Sequence, residues 1–242
     1  TLKLATGIIP ARYGSTRFPG KPLALILGKP MIQMVYERSK RAKFLERVIV
    51  ATDDRRIMTA CAHLGIPARL TSPSIGSGTE RVAEVARDLG ASLIINIQGD
   101  EPVLDPAMLD ALVKTLQDES IVMASLMTRI KAPAVFNDRN RVKVVVDKDG
   151  FALYFSRGPI PYQAKQGFFQ HIGIYGFKAD FLFRFCSLPP CELEKAEGLE
   201  QLRALENGYR IKMIETAYST LSVDSPRDII EVEKLLRKKS HD

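Results

Sequence analysis

Leu93-Ile94-Ile95-Asn96-Ile97-Gln98-Gly99-Asp100-Glu101-Pro102 is the most informative stretch of this 242-residue chain. Its first half is a nearly continuous apolar run, which is typical of a strand covered on both faces. Its second half changes at once to polar and turn-forming residues, including two carboxylates. In an open parallel sheet, ligands bind beyond the carboxyl ends of the strands. We therefore expect a buried strand with a binding site at its end.

Strand and helix signals alternate through the first 117 residues. Apolar runs such as Leu4–Ile9 and Arg47–Ala51 are followed by segments whose apolar residues recur at the three-to-four spacing of a helix. Alternation of this kind gives right-handed strand–helix–strand units and a mainly parallel sheet. Helices are predicted over Met31–Arg41, from Asp54 through Leu64, from Thr79 to Leu89 and from Pro106, after a cap at Asp105, to about Leu116.

The pattern changes to an antiparallel one at about residues 125–180. Asp149-Gly150 is a strong hairpin signal between two strand-like runs, Val142–Val146 and Phe151–Phe155. We interpret residues 1–242 as a single α/β domain, a mainly parallel Rossmann-like sheet with an antiparallel insertion. The other predicted elements are strands over Val122–Ile130, His171–Phe177 and Tyr209–Ile214, and helices over Phe181–Phe185, Glu194–Glu206 and Pro226–Arg237.

The composition excludes several classes of protein. Hydrophobic residues make up 45% and charged residues 26%, as in ordinary globular proteins. No stretch approaches the ~18 apolar residues that a membrane span needs, and the first residues lack the features of a signal peptide. The three cysteines are too few and too unevenly placed for a disulfide framework. These features predict a cytoplasmic protein without membrane insertion.

Positive charge is concentrated at the start of the chain. Residues 1–50 carry ten Lys or Arg and two Glu, against a net charge of +7 for the whole sequence. A basic excess confined to one segment favours a local anion site over a surface that coats nucleic acid. Part of it, Arg38–Lys43, is equally well explained as a solvated helix end.

The loop Pro10–Pro22 after the first strand has the parts of a polyphosphate cradle. Its glycines, Gly14 and Gly20, permit close backbone approach, and its cationic side chains supply fixed positive charge. It is not a Walker loop, because five residues separate the glycines, and no G-x-G-x-x-G fingerprint of dinucleotide binding occurs. The alternative is a solvated turn. The cations of this loop are Arg12, Arg17 and Lys21.

Two aspartates are candidate metal ligands. Asp100 follows a buried strand and a glycine, where a carboxylate can hold a divalent ion at the mouth of the sheet. Asp224 ends the last strand signal and is a natural partner, although Asp224-Ser225-Pro226 is also a plain helix start. Asp53 and Asp54 have the same ambiguity, and we interpret them as structural.

An ordered series of short motifs runs through nearly the whole chain. Together they resemble the 3-deoxy-manno-octulosonate cytidylyltransferases (CMP-Kdo synthetases), and the series is far more specific than any one member. The motifs are Ile9-Pro10-Ala11-Arg12-Tyr13-Gly14-Ser15-Thr16-Arg17-Phe18-Pro19-Gly20-Lys21-Pro22-Leu23, Val50–Asp54, Ser77–Arg81, Asn96–Pro102, Val142–Asp147, Ala152–Arg157, His171-Ile172-Gly173-Ile174-Tyr175, Leu199-Glu200-Gln201-Leu202-Arg203 and Val223–Pro226.

The resemblance implies an activity. CMP is transferred from CTP to the anomeric hydroxyl of 3-deoxy-D-manno-octulosonate (Kdo), giving CMP-Kdo and pyrophosphate and activating the sugar for lipopolysaccharide synthesis. It also implies a nucleotidyltransferase sheet, a requirement for Mg²⁺ and a homodimer formed through the region of about 125–180. Transfer of this kind is catalysed mainly by positioning and charge neutralisation.

The resemblance also implies roles for individual residues. Arg12, Lys21, Asp100 and Asp224 are the expected catalytic residues, and both aspartates are expected to ligate Mg²⁺. The expected nucleotide-binding residues are Pro10, Ala11, Arg12, Gly14, Ser15, Arg17, Lys21, Ser77, Gly78, Thr79, Arg81 and Gln98. The expected sugar-binding residues are Gln98, Arg157, His171, Tyr175, Glu200 and Gln201.

Physical chemistry agrees with the sugar-side roles without requiring them. Kdo carries a carboxylate, which suits an arginine fork, and we assign this part to Arg157. Glu200 and Gln201 offer donors and acceptors for hydroxyls, but they also lie off the leucine stripe of a predicted helix and can be ordinary surface residues. His171 can equally be a structural histidine.

Two alternatives to this activity stay open. The first is a cytidylyltransferase for another sugar acid, such as a CMP-sialate synthetase-like enzyme, whose first loop is similar. The second is a non-catalytic nucleotide- or RNA-binding module that uses the basic N-terminal segment. A panel of acid sugars with CTP tests the first alternative. Tight, salt-sensitive RNA binding without pyrophosphate release would favour the second.

Overall fold

The computed structural model describes residues 2–14, 18–130, 132–164, 168–218 and 221–239. A short 3₁₀ turn covers Lys21–Leu23. The strands are β1 (Ala5–Ala11), β2 (Leu25–Ile26), β3 (Lys29–Pro30), β4 (Leu45–Thr52), β5 (Ala68–Leu70), β6 (Leu93–Asn96), β7 (Met123–Arg129), β8 (Lys143–Val146), β9 (Ala152–Ser156), β10 (Phe169–Lys178) and β11 (Lys212–Glu215). The helices are α1 (Met31–Ser39), α2 (Arg55–His63), α3 (Gly78–Leu89), α4 (Pro106–Thr115), α5 (Pro133–Asn137), α6 (Ala179–Ser187), α7 (Glu192–Glu197), α8 (Leu202–Glu206) and α9 (Pro226–Lys239).

Strand β6 lies in the middle of a mixed sheet with the order β11-β7-β10-β6-β1-β4-β5. β1 runs parallel to β6 and β4, and β4 runs parallel to β5. β10 runs antiparallel to β6 and β7, and the β8–β9 hairpin extends the sheet from β10. All four residues of β6 are buried, which confirms the prediction of a strand covered on both faces.

Two apolar layers cover the sheet, one on each face. Ile95 belongs to the layer that includes buried residues of α1, α2 and α4, whereas its neighbour Ile94 belongs to the layer with α3, α6 and α8. Successive strand residues point to opposite faces, so both must be apolar. A third cluster packs α9 against β2 and α1 through Val232, Ile26 and Met31. The predicted α/β fold class is confirmed.

The antiparallel part is built into the sheet. β10 enters between β6 and β7, so it continues the parallel half directly. The predicted hairpin turn at Asp149-Gly150 is confirmed, and Gly150 has the positive φ of 78° that favours glycine. The pairing of β10 with β7 is irregular between Ile172 and Tyr175, which is a bulge. The bulge lies beside the candidate site described below.

One predicted helix, Glu194–Glu206, is wrong. The structure has two short helices, α7 and α8, because Gly198 takes a left-handed conformation with φ 63° and ends α7. The N–H of Leu199 then donates to the carbonyl of Glu194 over 3.1 Å and closes the turn. The break places Glu200 and Gln201 in a connection between helices.

The described part of the chain has no helix long and apolar enough to cross a bilayer. Cys61, Cys186 and Cys191 are free thiols. Burial raises the pKa of Cys61 to about 11 and is the main cause that raises the pKa of Cys186 to about 12. Both thiols are therefore protonated at neutral pH.

Candidate active site

A cavity of about 630 Å³ lies at the carboxyl end of β6. The loop after β6 contributes Gln98 and Asp100 to its wall, and β10 contributes His171 and Tyr175. This is the end of the sheet at which the sequence predicts a ligand site. The other sequence-predicted residues on the wall are Glu200 and Gln201, from the connection between α7 and α8, and Asp224, from the segment before α9.

Lys21 joins three distant segments at one edge of this cavity. Its Nζ lies 3.0 Å from Oδ2 of Asp100 and donates to the carbonyl of Val223 over 2.9 Å. The N–H of Val223 donates to the carbonyl of Asp100, also over 2.9 Å. The basic first loop, the end of β6 and the residue before Asp224 are therefore held together.

Asp224 has a position consistent with both interpretations drawn from the sequence. Helix α9 does begin two residues later, at Pro226. Its first turn is closed by Asp228, whose Oδ2 accepts from the N–H groups of Asp224 over 2.9 Å and of Ser225 over 2.7 Å. These bonds help to lower the pKa of Asp228, although burial opposes them. The start of α9 thus fixes the backbone of Asp224, and Asp224 lines the cavity.

Carboxylates dominate the wall near Asp100. Glu101 is 7% exposed, and its Oε2 has no hydrogen-bond partner. Burial, followed by the charge of Asp100, raises the pKa of Glu101 to about 8. Within the described ranges, no group of three or more His, Cys, Asp or Glu is arranged to hold a metal ion alone. Oxygen ligands of this kind suit a hard divalent cation such as Mg²⁺, which takes one or two carboxylates and completes its shell with phosphates and water.

The first loop and the start of α3 approach each other beside this edge. Arg12 donates from Nη1 to the carbonyl of Gly76 over 3.0 Å. A Cβ on Gly78 would lie 3.5 Å from Pro10, and a Cβ on Gly99 would lie 3.2 Å from the Pro10 carbonyl. The small residues therefore allow close contact between the ends of β1, β6 and α3. Ser77 caps α3 reciprocally with Glu80.

Thr79 connects α3 to the far wall of the cavity. Its hydroxyl donates to Oε2 of Glu200 over 2.7 Å and accepts from Nδ2 of Asn96 over 3.3 Å. Burial raises the pKa of Glu200, and the bond from Thr79 opposes that rise. Thr79 therefore positions Glu200.

His171 is a buried member of a hydrogen-bonded chain. Its Nε2 lies 2.8 Å from Oγ of Ser125, and that hydroxyl is 2.9 Å from the carbonyl of Ile174. Because the carbonyl can only accept, the single hydroxyl proton goes to it, and His171 donates from Nε2. Nδ1 is then an acceptor, and Nε2 of Gln201 lies 3.4 Å away. This arrangement sets the orientation of the Gln201 amide.

Two side chains of the wall, those of His171 and Tyr175, are neutral. Burial lowers the pKa of His171 to about 3. Burial, with a smaller contribution from the charge of Glu200, raises the pKa of the Tyr175 phenol. At neutral pH both side chains therefore offer hydrogen bonds without charge.

Comparison with known proteins agrees with this geometry. A model of the cytidylyltransferase family matches residues 6–214. The 3-deoxy-manno-octulosonate cytidylyltransferase of Syntrophotalea carbinolica is 49% identical over 245 residues, covering 96% of this chain and 98% of that protein. This chain belongs to the 3-deoxy-manno-octulosonate cytidylyltransferase family. The relative from Solibacter usitatus, with the same family name, is 50% identical and covers 96% of this chain and 94% of its own length.

A solved structure extends the likeness to the whole fold. CMP:2-keto-3-deoxy-manno-octonic acid synthetase complexed with CTP superposes with a TM-score of 0.92 at 41% identity. The match covers 98% of this chain and 99% of that one. The family resemblance inferred from the short motifs is thus confirmed, and so is the nucleotidyltransferase sheet.

Arg157 of this cytidylyltransferase does not line the cavity, contrary to the expectation from its charge. Its Nε donates to the carbonyl of Glu197 over 2.9 Å, and its terminal nitrogens donate to the carbonyls of Arg139 and Gly198, each over 3.3 Å. In this structure Arg157 therefore holds the backbone behind the cavity wall. A direct contact of Arg157 with sugar stays a prediction.

Arg81 is likewise held by protein groups. It is 0% exposed, with Nη2 2.9 Å from Oδ2 of Asp53, and it also bonds to Thr71. Asp53 is thus structural, as its position in the sequence indicated. The burial of Arg81 does not support direct contact with a nucleotide, because the side chain presents no surface to one.

Two of the predicted binding residues lie outside the described ranges, and several residues of the cavity wall were not predicted. Ser15 and Arg17 fall outside the described residues, and a Cβ on Gly14 would meet no described atom within 4 Å. Glu101 was overlooked although it adjoins Asp100. A polar part of the wall lies before β8 and was not predicted. Its signal in the sequence is a short run of charged and amide residues after Phe136. Its members on the cavity are Asp138, Asn140 and Arg141.

Proposed function

We propose that this chain transfers CMP from CTP to the anomeric hydroxyl of Kdo. The anomeric oxygen of the sugar loses its proton and forms a bond to the α-phosphorus of CTP. The bond between that phosphorus and the oxygen that bridges it to the β-phosphorus breaks, and pyrophosphate leaves. The observation that carries the proposal is a single cavity lined by Asp100, Glu200 and Gln201, with Lys21 paired to Asp100 at its edge. The chain that contains this cavity belongs to the 3-deoxy-manno-octulosonate cytidylyltransferase family.

The two ends of the cavity have different roles, one binding the nucleotide and the other binding the sugar. On the nucleotide side, Lys21 and Arg12 supply positive charge to the triphosphate as negative charge moves onto pyrophosphate. On the sugar side, Glu200 accepts from hydroxyl groups, while Gln201 presents an amide that His171 orients. Tyr175 and Gln98 add uncharged polar contacts. Positioning of the hydroxyl against the α-phosphorus then supplies much of the rate.

We further propose that Asp100 and Asp224 hold Mg²⁺. Their oxygen donors fit this ion, and Lys21 keeps their segments adjacent. When bound, Mg²⁺ neutralises the phosphate charge that develops in phosphoryl transfer. We also propose a homodimer through the region of about 125–180, a cytoplasmic location and a supply of CMP-Kdo to lipopolysaccharide synthesis, because these accompany the family.

Pyrophosphate release tests the choice of substrate. The protein is incubated with Mg²⁺ and one of three pairs: CTP with Kdo, CTP with neuraminate, or UTP with Kdo. We expect release with CTP and Kdo at a rate well above the other two. Release with neuraminate but not with Kdo contradicts the proposal and favours a sialate-type enzyme. Salt-sensitive RNA binding without any release favours a binding module.

A further inference from the structure

The cavity wall carries an unusual balance of charge for a site that binds a sugar acid. Among the described residues that line it, one side chain, Arg141, has a permanent positive charge. His171 is neutral because burial holds its pKa far below the physiological range. The carboxyl-bearing residues of the wall are Asp100, Glu101, Asp138, Glu200, Asp224 and Asp228.

An anionic sugar must overcome this negative field. The carboxylate of a sugar acid is ionised at neutral pH and is repelled by neighbouring carboxylates at short range. The Lys21 ammonium is already shared between Asp100 and the Val223 carbonyl. Even with Mg²⁺ held by Asp100 and Asp224, a cation elsewhere on the wall would favour binding of the sugar end. A guanidinium suits a carboxylate because it can donate two parallel hydrogen bonds.

Arg141 is placed to supply those donors. Its side chain is 32% exposed, and its Nε lies 4.0 Å from Oδ2 of Asp138, which is beyond hydrogen-bond distance. Arg141 lines the cavity together with its neighbours Asp138 and Asn140. The guanidinium thus lies beside the Asp138 carboxylate at a distance longer than a hydrogen bond.

The backbone that carries Arg141 is held firmly from behind. The buried Lys143 ammonium donates to the carbonyls of Asp138, Arg141 and Arg157 over 2.8, 2.5 and 2.7 Å. Arg157 ties the same loop to the end of α7 through the carbonyl of Arg139. A side chain on a fixed backbone loses less conformational entropy on binding.

We propose that Arg141 binds the carboxylate of the sugar acid and makes the cavity selective for acidic sugars. The inference rests on the proposed function, since it assumes that Kdo is the acceptor. It adds a specificity-determining residue that lies outside the motifs on which the family resemblance was drawn. It also explains how a wall with six carboxyl groups accepts an anionic substrate.

Steady-state kinetics with two acceptors test the proposal. Arg141→Gln, Arg141→Lys and a control, Arg139→Gln, are compared with wild type by pyrophosphate release from CTP. Arg139 is the control because it is an exposed arginine of the same loop whose side chain does not line the cavity. The acceptors are Kdo and its C1 carboxamide, which has the same hydroxyls without the charge.

We expect Arg141→Gln to raise KM for Kdo about 10- to 100-fold, the range for a lost charged hydrogen-bonded contact, with KM for CTP within about twofold. Wild type should prefer Kdo to the carboxamide, and Arg141→Gln should lose most of that preference. The KM for Kdo of Arg141→Lys should fall between those of wild type and Arg141→Gln, because lysine keeps the positive charge and loses the paired donors of the guanidinium. Arg139→Gln should match wild type, and thermal melting should show all variants folded.

Two results overturn the inference in distinguishable ways. If wild type turns over Kdo and Arg141→Gln keeps both KM for Kdo and the preference over the carboxamide, the proposed function stands and the assignment to Arg141 is wrong. If wild type releases no pyrophosphate with Kdo, the proposed function itself fails and the assignment fails with it.

Discussion

Hydrogen bonds among buried side chains determine what each cavity residue can offer a substrate. Ser125 is the clearest case. Its hydroxyl donates to the carbonyl of Ile174 in the β10 bulge and accepts from Nε2 of His171. His171 in turn presents an acceptor to Gln201. The amide of Gln201, a proposed sugar-binding group, is therefore oriented by Ser125 and His171.

Removal of the Ser125 hydroxyl tests this chain. Ser125→Ala leaves Nε2 of His171 without an acceptor in a buried position, which should cost about 1–3 kcal/mol of unfolding free energy. We expect KM for Kdo to rise severalfold while KM for CTP stays near wild type. The control is Ser187→Ala, at an exposed serine whose hydroxyl donates to the carbonyl of Arg184 in its own helix. An unchanged KM for Kdo in a destabilised Ser125→Ala protein would show that the chain has no part in binding.

The buried state of His171 also has a consequence for stability against pH. Its pKa is about 3 in the folded protein and about 6.5 in an unfolded chain, so the unfolded state binds the extra proton between these values. Stability therefore rises with pH through this window and is lost as pH falls. Between pH 8 and pH 5 the loss from this group is about 2 kcal/mol.

We expect His171→Gln to show a correspondingly smaller loss of stability on acidification. Urea unfolding at pH 5 and pH 8 measures it, and the comparison of slopes holds even if the variant is less stable at both pH values. His63→Gln, at an exposed histidine, is the control and should keep the wild-type dependence. Equal pH dependence in wild type and His171→Gln would mean that His171 is accessible to protons in the folded state.

At the scale of elements, the start of α3 connects the two halves of the cavity. Its capping box fixes the loop beside Arg12, and the hydroxyl of Thr79, in the first turn, donates to Glu200. The same helix therefore connects the proposed nucleotide side and the proposed sugar side. Asn96, at the end of β6, completes the connection.

Thr79→Val and Thr79→Ser separate this connection from simple packing. Thr79→Val keeps the shape of the side chain and removes the donor to Glu200, so we expect KM for Kdo to rise about 3- to 10-fold with a smaller change in kcat. Thr79→Ser keeps the hydroxyl and should restore most of the wild-type KM. If the serine variant is impaired as much as the valine variant, the methyl group rather than the bond is what matters.

Elements with local signals could be predicted from the sequence, and elements that depend on a single backbone conformation could not. Asp105-Pro106 starts α4 and Asp149-Gly150 turns the β8–β9 hairpin, because caps and turns are determined by adjacent residues. The break at Gly198 was missed because the leucine spacing on either side continues through it. Periodicity does not report the left-handed conformation of one residue.

At the scale of the molecule, the fold brings together residues that are far apart in the sequence. Lys21, Asp100 and Val223 form one bonded group at the end of β6. Lys21 and Asp100 follow β1 and β6, which are adjacent and parallel. The alternation of strands and helices predicted the parallel direction, but the strand order and the place of Val223 were not predicted. The side-chain geometry of Arg157 and Arg141 did not follow from the sequence, since an arginine reaches in a direction that depends on tertiary contacts.

Asp100→Asn tests the chemical part of this group. If Asp100 holds Mg²⁺ as proposed, loss of its carboxylate should lower kcat by about 10³-fold or more while the protein stays folded. Rates of pyrophosphate release and thermal melting measure the two effects. Asp180→Asn, an exposed aspartate in the first turn of α6, is the control and should leave the rate unchanged. Near-normal turnover by Asp100→Asn would exclude Asp100 as a metal ligand.

The central claim is that one cavity couples CTP to Kdo with loss of pyrophosphate, and ³¹P NMR of the reaction mixture tests it most directly. With CTP, Kdo and Mg²⁺, we expect the three triphosphate signals to disappear as a phosphodiester signal and a pyrophosphate signal appear in a ratio of one phosphodiester to one pyrophosphate. The same mixture without Kdo, or with the metal chelated, should not change. Persistent triphosphate signals from folded protein in the complete mixture, or conversion to CDP and inorganic phosphate, would contradict the account.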